Sequence, residues 1–325
     1  MSLKFPCTAP RAAAFCVAVL ALAGLASCGG SQVTPFEPTR ILAFGDQASV
    51  IEADGRKYSI NAFKVTNATT TPPTESTTLV DCTRNPLWIQ TVATGFGLAF
   101  ERCLGTATVA SGQILAQPGH KVADLEAQIA AVQGGALNEK DLALVLVGMN
   151  DILEQYQRYP ATTRDELLAE LRTRGTLYGA QVNRLATAGP AVVVLAVPDL
   201  GLTPYALAQK AAFTDIDRAA LLTEMTSVYN NSMSIKLIND GRLIGLLFAD
   251  IDVQNMVKFP TTFSLTNVIA AACQPSAVLP ACTSATLVDG ATSARWLWAD
   301  GLNLGPNGQA RLGALALSRA KTNPF

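Results

Sequence analysis

Apolar and polar positions along this chain follow two rhythms. Short aliphatic runs occur at 40–44, 142–147, 191–197 and 243–249, each bounded by polar or glycine-bearing residues. Such runs are the mark of strands buried on both faces. Between and after them the spacing turns helical. It predicts helices over 86–100, 122–132, 164–188, 215–239 and 308–320, the third stopped by Gly189 and Pro190. The first of these aligns Trp88, Val92, Phe96 and Ala99 on one side. Residues 56–65 alternate weakly, and the Thr- and Pro-rich stretch 67–78 reads as a surface loop. Buried strands separated by helices specify an α/β fold, a three-layer α/β/α sandwich around a mostly parallel sheet. No internal repeat or interior linker divides it, so one domain over 39–325 is expected. In such sheets the functional crevice lies at the carboxyl ends of the strands. The polar residues that end the runs are therefore the ones to watch.

The amino terminus departs from this rhythm. Lys4 and Arg11 precede an apolar run from residue 12 to residue 26, too short for a comfortable membrane span and suited to a secretory signal. Its end, Leu25-Ala26-Ser27-Cys28 before Gly29 and Gly30, resembles a bacterial lipoprotein signal. That resemblance implies a signal peptide over 1–27, lipidation of Cys28, and a tether over 28–38. It also implies a protein of the cell envelope whose partner is a lipid bilayer. Gly29 after the cysteine favours the outer membrane. Four cysteines then remain for the domain, Cys82, Cys103, Cys273 and Cys282. An even number in an exported chain suggests two disulfides. Three pairings are open, and the local ones, Cys82–Cys103 and Cys273–Cys282, are expected.

Composition narrows the chemistry. The chain has 325 residues, 24 Lys+Arg against 25 Asp+Glu, 49% hydrophobic and 15% charged residues. There is no basic excess for a nucleic-acid surface. One histidine, His120, excludes multi-histidine metal sites and permits at most one histidine-dependent catalytic role. No metal and no cofactor is implied.

Four segments in order then carry a family resemblance. They are Phe44-Gly45-Asp46-Gln47-Ala48-Ser49, Gln117-Pro118-Gly119-His120, Gly148-Met149-Asn150-Asp151 and Asp300-Gly301-Leu302-Asn303-Leu304-Gly305-Pro306. Together they resemble the blocks of the GDSL, or SGNH, esterases and lipases. Phe263-Ser264-Leu265-Thr266-Asn267-Val268 with the later Cys273 resembles the branch whose esterases are often autotransporters. The resemblance implies an oxyanion hole from the Gly119 N–H and the Asn150 side chain, with Asp300 as the acid of a catalytic triad.

The departures concern the reacting groups. The block-one serine is Gln47, and the last-block histidine is Asn303. A carboxamide is neither a useful nucleophile nor a base near neutral pH. The expected reading is a catalytically silent esterase-like protein that binds an acyl-ester or glycan ligand, or scaffolds, at the envelope. The alternative is an active carboxylesterase using non-standard residues such as Ser49 with His120. Ser49 is more simply a helix-start residue. Asp46, with Asp151 and Asp300, could furnish a carboxylate pair of the kind used on glycosides. Gln47 and Asn303 could pair with each other or face a ligand. Trp296 and Trp298 line a groove or pack in the core.

Overall fold

In chain order the elements are β1 (Arg40–Gly45), β2 (Phe63–Asn67), β3 (Thr74–Val80), α1 (Trp88–Gly95), β4 (Gly112–Ile114), α2 (Leu125–Ala130), β5 (Asp141–Leu146), α3 (Met149–Gln157), α4 (Arg164–Thr187), β6 (Ala191–Leu195), α5 (Pro204–Ala212), α6 (Arg218–Lys236), β7 (Ile244–Leu247), α7 (Ala249–Lys258), β8 (Asn267–Ala271), β9 (Trp296–Trp298) and α8 (Pro306–Thr322). They are seen in a computed structural model that describes residues 35–325. The signal segment and Cys28 lie outside the described residues. Residues 36–325 pack as one unit. No helix among the described residues is long and apolar enough to cross a membrane.

The central sheet is parallel throughout, in the order β4-β1-β5-β6-β7. Because side chains alternate across a strand, each aliphatic run feeds two cores. Leu42, Phe44, Ala143, Val145, Val192 and Val194 face one layer, against α4 and α6. Ile41, Ala43, Leu142, Leu144, Val193 and Leu195 face the other, against α1, α7 and α8. Helices on both faces complete the three-layer sandwich. A third, smaller cluster forms around Ile60, Leu279 and Ala299, beside the Cys273–Cys282 bridge. Both disulfides are the local ones, Cys82–Cys103 and Cys273–Cys282.

The longest helix, α4, begins where the sequence writes a capping box. The Thr163 hydroxyl faces the Glu166 N–H, and the Glu166 carboxylate accepts from the Thr163 N–H at 3.1 Å. One expectation fails. The stretch 67–78 is not simply a loop, since β2 and β3 form an exposed antiparallel hairpin. Its run of β-branched threonines suits an extended strand. Helices α3, α5 and α7 and the three-residue β4 follow the long elements too closely, or are too short, for their periodicity to stand out.

Candidate functional site

Two adjacent strands start the site. From β1 the chain continues to β4 on one side of the sheet, and β5 lies on the other. Their carboxyl ends are thus the point where the strand order reverses, the usual place for a crevice. Gly45 ends β1 at φ +127°, and a Cβ there would lie 1.8 Å from the Leu146 carbonyl oxygen. Only glycine lets β1 and β5 end this close together. Gly148 ends the β5 segment at φ +134°, with the Tyr229 ring where a Cβ would be.

After Gly45, Asp46 caps a short 3-10 turn (Gln47–Ser49) through its Oδ1, which accepts from the Ala48 N–H at 3.1 Å. Asp46 is only 2% exposed. Burial pushes its carboxyl up to about 7; the Asp151 charge adds to this, and the N–H groups of Ala48, Gly148 and Met149 oppose it. Asp151 is buried too, and burial raises it to about 6 against the pull of the Val122 N–H and Arg174. Its Oδ2 accepts from the Val122 N–H at 2.9 Å, so it ties α3 to the loop after His120. Both aspartates hold loops.

Gln47 points into the crevice and does not meet Asn303. Its Oε1 accepts from the Gly119 N–H at 3.1 Å and from Asn150 Nδ2 at 3.0 Å. These are the two donors that the family resemblance assigns to an oxyanion hole. The orientation of both carboxamides is fixed by backbone groups. Gly119 can only donate, so the Gln47 oxygen must face it. Asn150 Nδ2 also donates to the His120 carbonyl at 2.8 Å, so its nitrogen faces that way. Gln47 Nε2 reaches Asn150 Oδ1 at a long 3.4 Å.

Asn303 turns back on its own loop. Its Nδ2 donates to both carboxylate oxygens of Asp300, each at 3.1 Å. Oδ1 of Asp300 also accepts from the Leu302 and Asn303 N–H groups, at 2.8 and 2.6 Å. Asp300 therefore holds the Asn303 carboxamide, at the position where the family resemblance expects an imidazole.

The remaining candidates sit elsewhere. Ser49 is fully buried, and its Oγ accepts from Trp88 Nε1 at 3.1 Å. It does not line the crevice. His120 contributes its backbone carbonyl to Asn150, while its ring turns to Gln128. Gln128 brackets Gly45, accepting from its N–H and donating to its carbonyl, both at 2.8 Å. Gln128 Nε2 thus also donates to His120 Nδ1, at 2.9 Å, which leaves the neutral imidazole proton on Nε2. No Ser49–His120 contact exists. Trp298 is fully buried and donates to the Val268 carbonyl; Trp296 packs half-buried against the third cluster. Core packing is their role. Among the described residues no cluster of His, Cys, Asp and Glu could hold a metal.

Sequence reasoning missed Gln128 and Gln309. Gln309 lies one turn into α8, 2% exposed, and its Oε1 accepts from the Trp88 N–H at 3.1 Å. With Asp46 and Asn303 it lines a recess beneath the crevice. Glutamine on a helix carries no spacing signal, so neither residue was visible before the fold.

No protein-family model matches the chain, and no curated protein matches it. Among solved structures it is similar to an acetylxylan esterase from Geobacillus stearothermophilus, at 10% identity over 89% of this chain and 98% of that one, TM-score 0.42. It is similar to an α/β hydrolase from the metagenome of Lake Arreo, at 14% identity over 88% and 96%, TM-score 0.43. A GDSL-like lipase candidate from Parabacteroides merdae is similar at 11% identity over 87% and 98%, TM-score 0.40. Independently of these, the chain has a parallel sheet with helices on both faces, and segments of all four sequence motifs lie at its carboxyl end, as the sequence resemblance implies.

Proposed function

We propose that this chain is an exported, lipid-anchored protein of esterase-like fold whose former reaction centre no longer turns over esters and serves ligand binding or scaffolding at the cell envelope. One observation carries the reading: the Gln47 carboxamide oxygen lies between the Gly119 N–H and Asn150 Nδ2. In a serine esterase those donors must be free to receive the oxygen that becomes negative in the transition state. Here the protein supplies its own neutral oxygen. The nucleophile and the base are both carboxamides, so neither attack nor proton transfer has an agent. An acyl ester or a glycan reaching this crevice is held rather than cleaved.

The test is an ester assay with short-chain nitrophenyl esters, paired with fluorophosphonate labelling. The wild type is expected to show neither turnover nor label. Gln47→Ser with Asn303→His frees the cradle and restores nucleophile and base, and this pair is expected to gain esterase activity. Turnover by the wild type that disappears in Ser49→Ala would establish the active-esterase alternative instead. Anchoring is tested separately: Cys28→Ala is expected to move the protein from the membrane fraction to the soluble one, and unchanged fractionation would sink that part.

A further inference from the structure

Two polar groups in the recess beneath the crevice have no partner among the described residues, and each is aimed there by a bond on its other end. Gln309 must turn Oε1 to the Trp88 N–H, because that backbone group can only donate. Its Nε2 is then left to the recess, which Gln309 lines, and donates to no atom among the described residues. Asn303 must turn Nδ2 to Asp300, because a carboxylate only accepts. Its Oδ1 is left with no donor among the described residues. Ala48, Met149, Val197 and Leu302 supply apolar walls. Both groups are thus reachable from the recess, and an occupant can take a hydrogen bond from one and give one to the other.

We propose that this recess is a binding subsite for a small neutral group that carries one hydrogen-bond acceptor and one donor, such as a primary carboxamide or an alcohol. The acceptor takes Gln309 Nε2, and the donor goes to Asn303 Oδ1. Neutrality follows from the walls. Asp46 on the lining disfavours an anion, and the mostly apolar walls disfavour a charge of either sign. The space is about 30 Å³, which suits an occupant of roughly two to four heavy atoms. Asp46 and Ala48, the neighbours of Gln47, line the recess together with Asn303. The proposal deepens the binding role given above and needs no catalysis.

Acetamide is the probe, titrated into the full-length 15N-labelled protein in detergent and read at the backbone N–H resonances of Trp88 and Leu302, which every variant below retains. A saturable shift is expected with acetamide and none with acetate. Gln309→Glu keeps the acceptor for Trp88 and removes the donor, so acetamide is expected to bind about tenfold more weakly. Asn303→Ala, which leaves Trp88 and Gln309 untouched, is expected to weaken it as well. No saturable shift in the folded wild type, or equal binding by wild type and Gln309→Glu, would overturn the subsite. Ester turnover by the wild type would sink the silent-centre reading and leave this subsite standing; a missing acetamide shift sinks the subsite alone.

Discussion

The two altered positions of the crevice are satisfied in opposite ways. Gln47 reaches across the molecule and joins three segments far apart in sequence: the end of β1, the loop at Gly119 and the start of α3. The side chain of Asn303 bonds only to Asp300, three residues back. A non-local brace and a local turn teach different things. The first cross-links the crevice. The second preserves a loop shape and leaves the oxygen of Asn303 unused. Asp46 and Asp151, buried behind Gln47, belong to the braced side.

The largest expected effect separates this buried side from the rest by pH. The carboxyl of Asp46 is raised in the folded state, so the stability it contributes is present below its ordinary value of 3.8 and is lost as pH rises through about 7. Asp46→Asn removes the titration and keeps an acceptor for Ala48. Its stability relative to wild type is expected to rise between pH 4 and pH 8, by up to about 4 kcal/mol. Urea melts across that range read this directly, and parallel wild-type and variant curves would refute it.

Next in size is the brace itself. Gln47→Ala leaves the Gly119 N–H and Asn150 without their acceptor, at an expected cost of about 1–2 kcal/mol. A double-mutant cycle with Asn150→Ala should show coupling of at least about 0.5 kcal/mol, as contacting residues do. Additive losses would mean that Gln47 braces nothing. Asn303→Ala should cost less, under about 1 kcal/mol, because the backbone N–H groups of Leu302 and Asn303 still hold Asp300. If the Asn303 loss equals or exceeds that of Gln47, the contrast fails. The smallest effect concerns Ser49→Ala, expected to cost about 1 kcal/mol through the Trp88 indole bond. It should leave ligand binding at the crevice unchanged, since its hydroxyl lies in the core.

The fold was legible because its signals are long and local. The aliphatic strands and the 24-residue α4 announce themselves by composition, period and caps. The hairpin at β2 and β3 was not, because threonine serves a loop and an exposed strand alike. At the site, Gln47, Asn150, Gly119, Asp300 and Asn303 could be named from motif order. Their partners could not. Whether Gln47 meets Asn303 or Asn150 depends on how loops 103 residues apart approach each other. Gln128 and Gln309 were invisible for the same reason: each matters only through backbone groups that the fold brings to it, Gly45 in one case and Trp88 in the other.

The placement of His120 has a practical consequence. Its carbonyl holds the Asn150 side chain that holds Gln47, and its ring takes a hydrogen bond from the residue that brackets Gly45. A chain with a single imidazole yields a single set of imidazole signals in a magnetic resonance spectrum. A rearrangement of the crevice that moves this ring or its partners therefore reports through one residue's signals, with no other histidine to confuse their assignment.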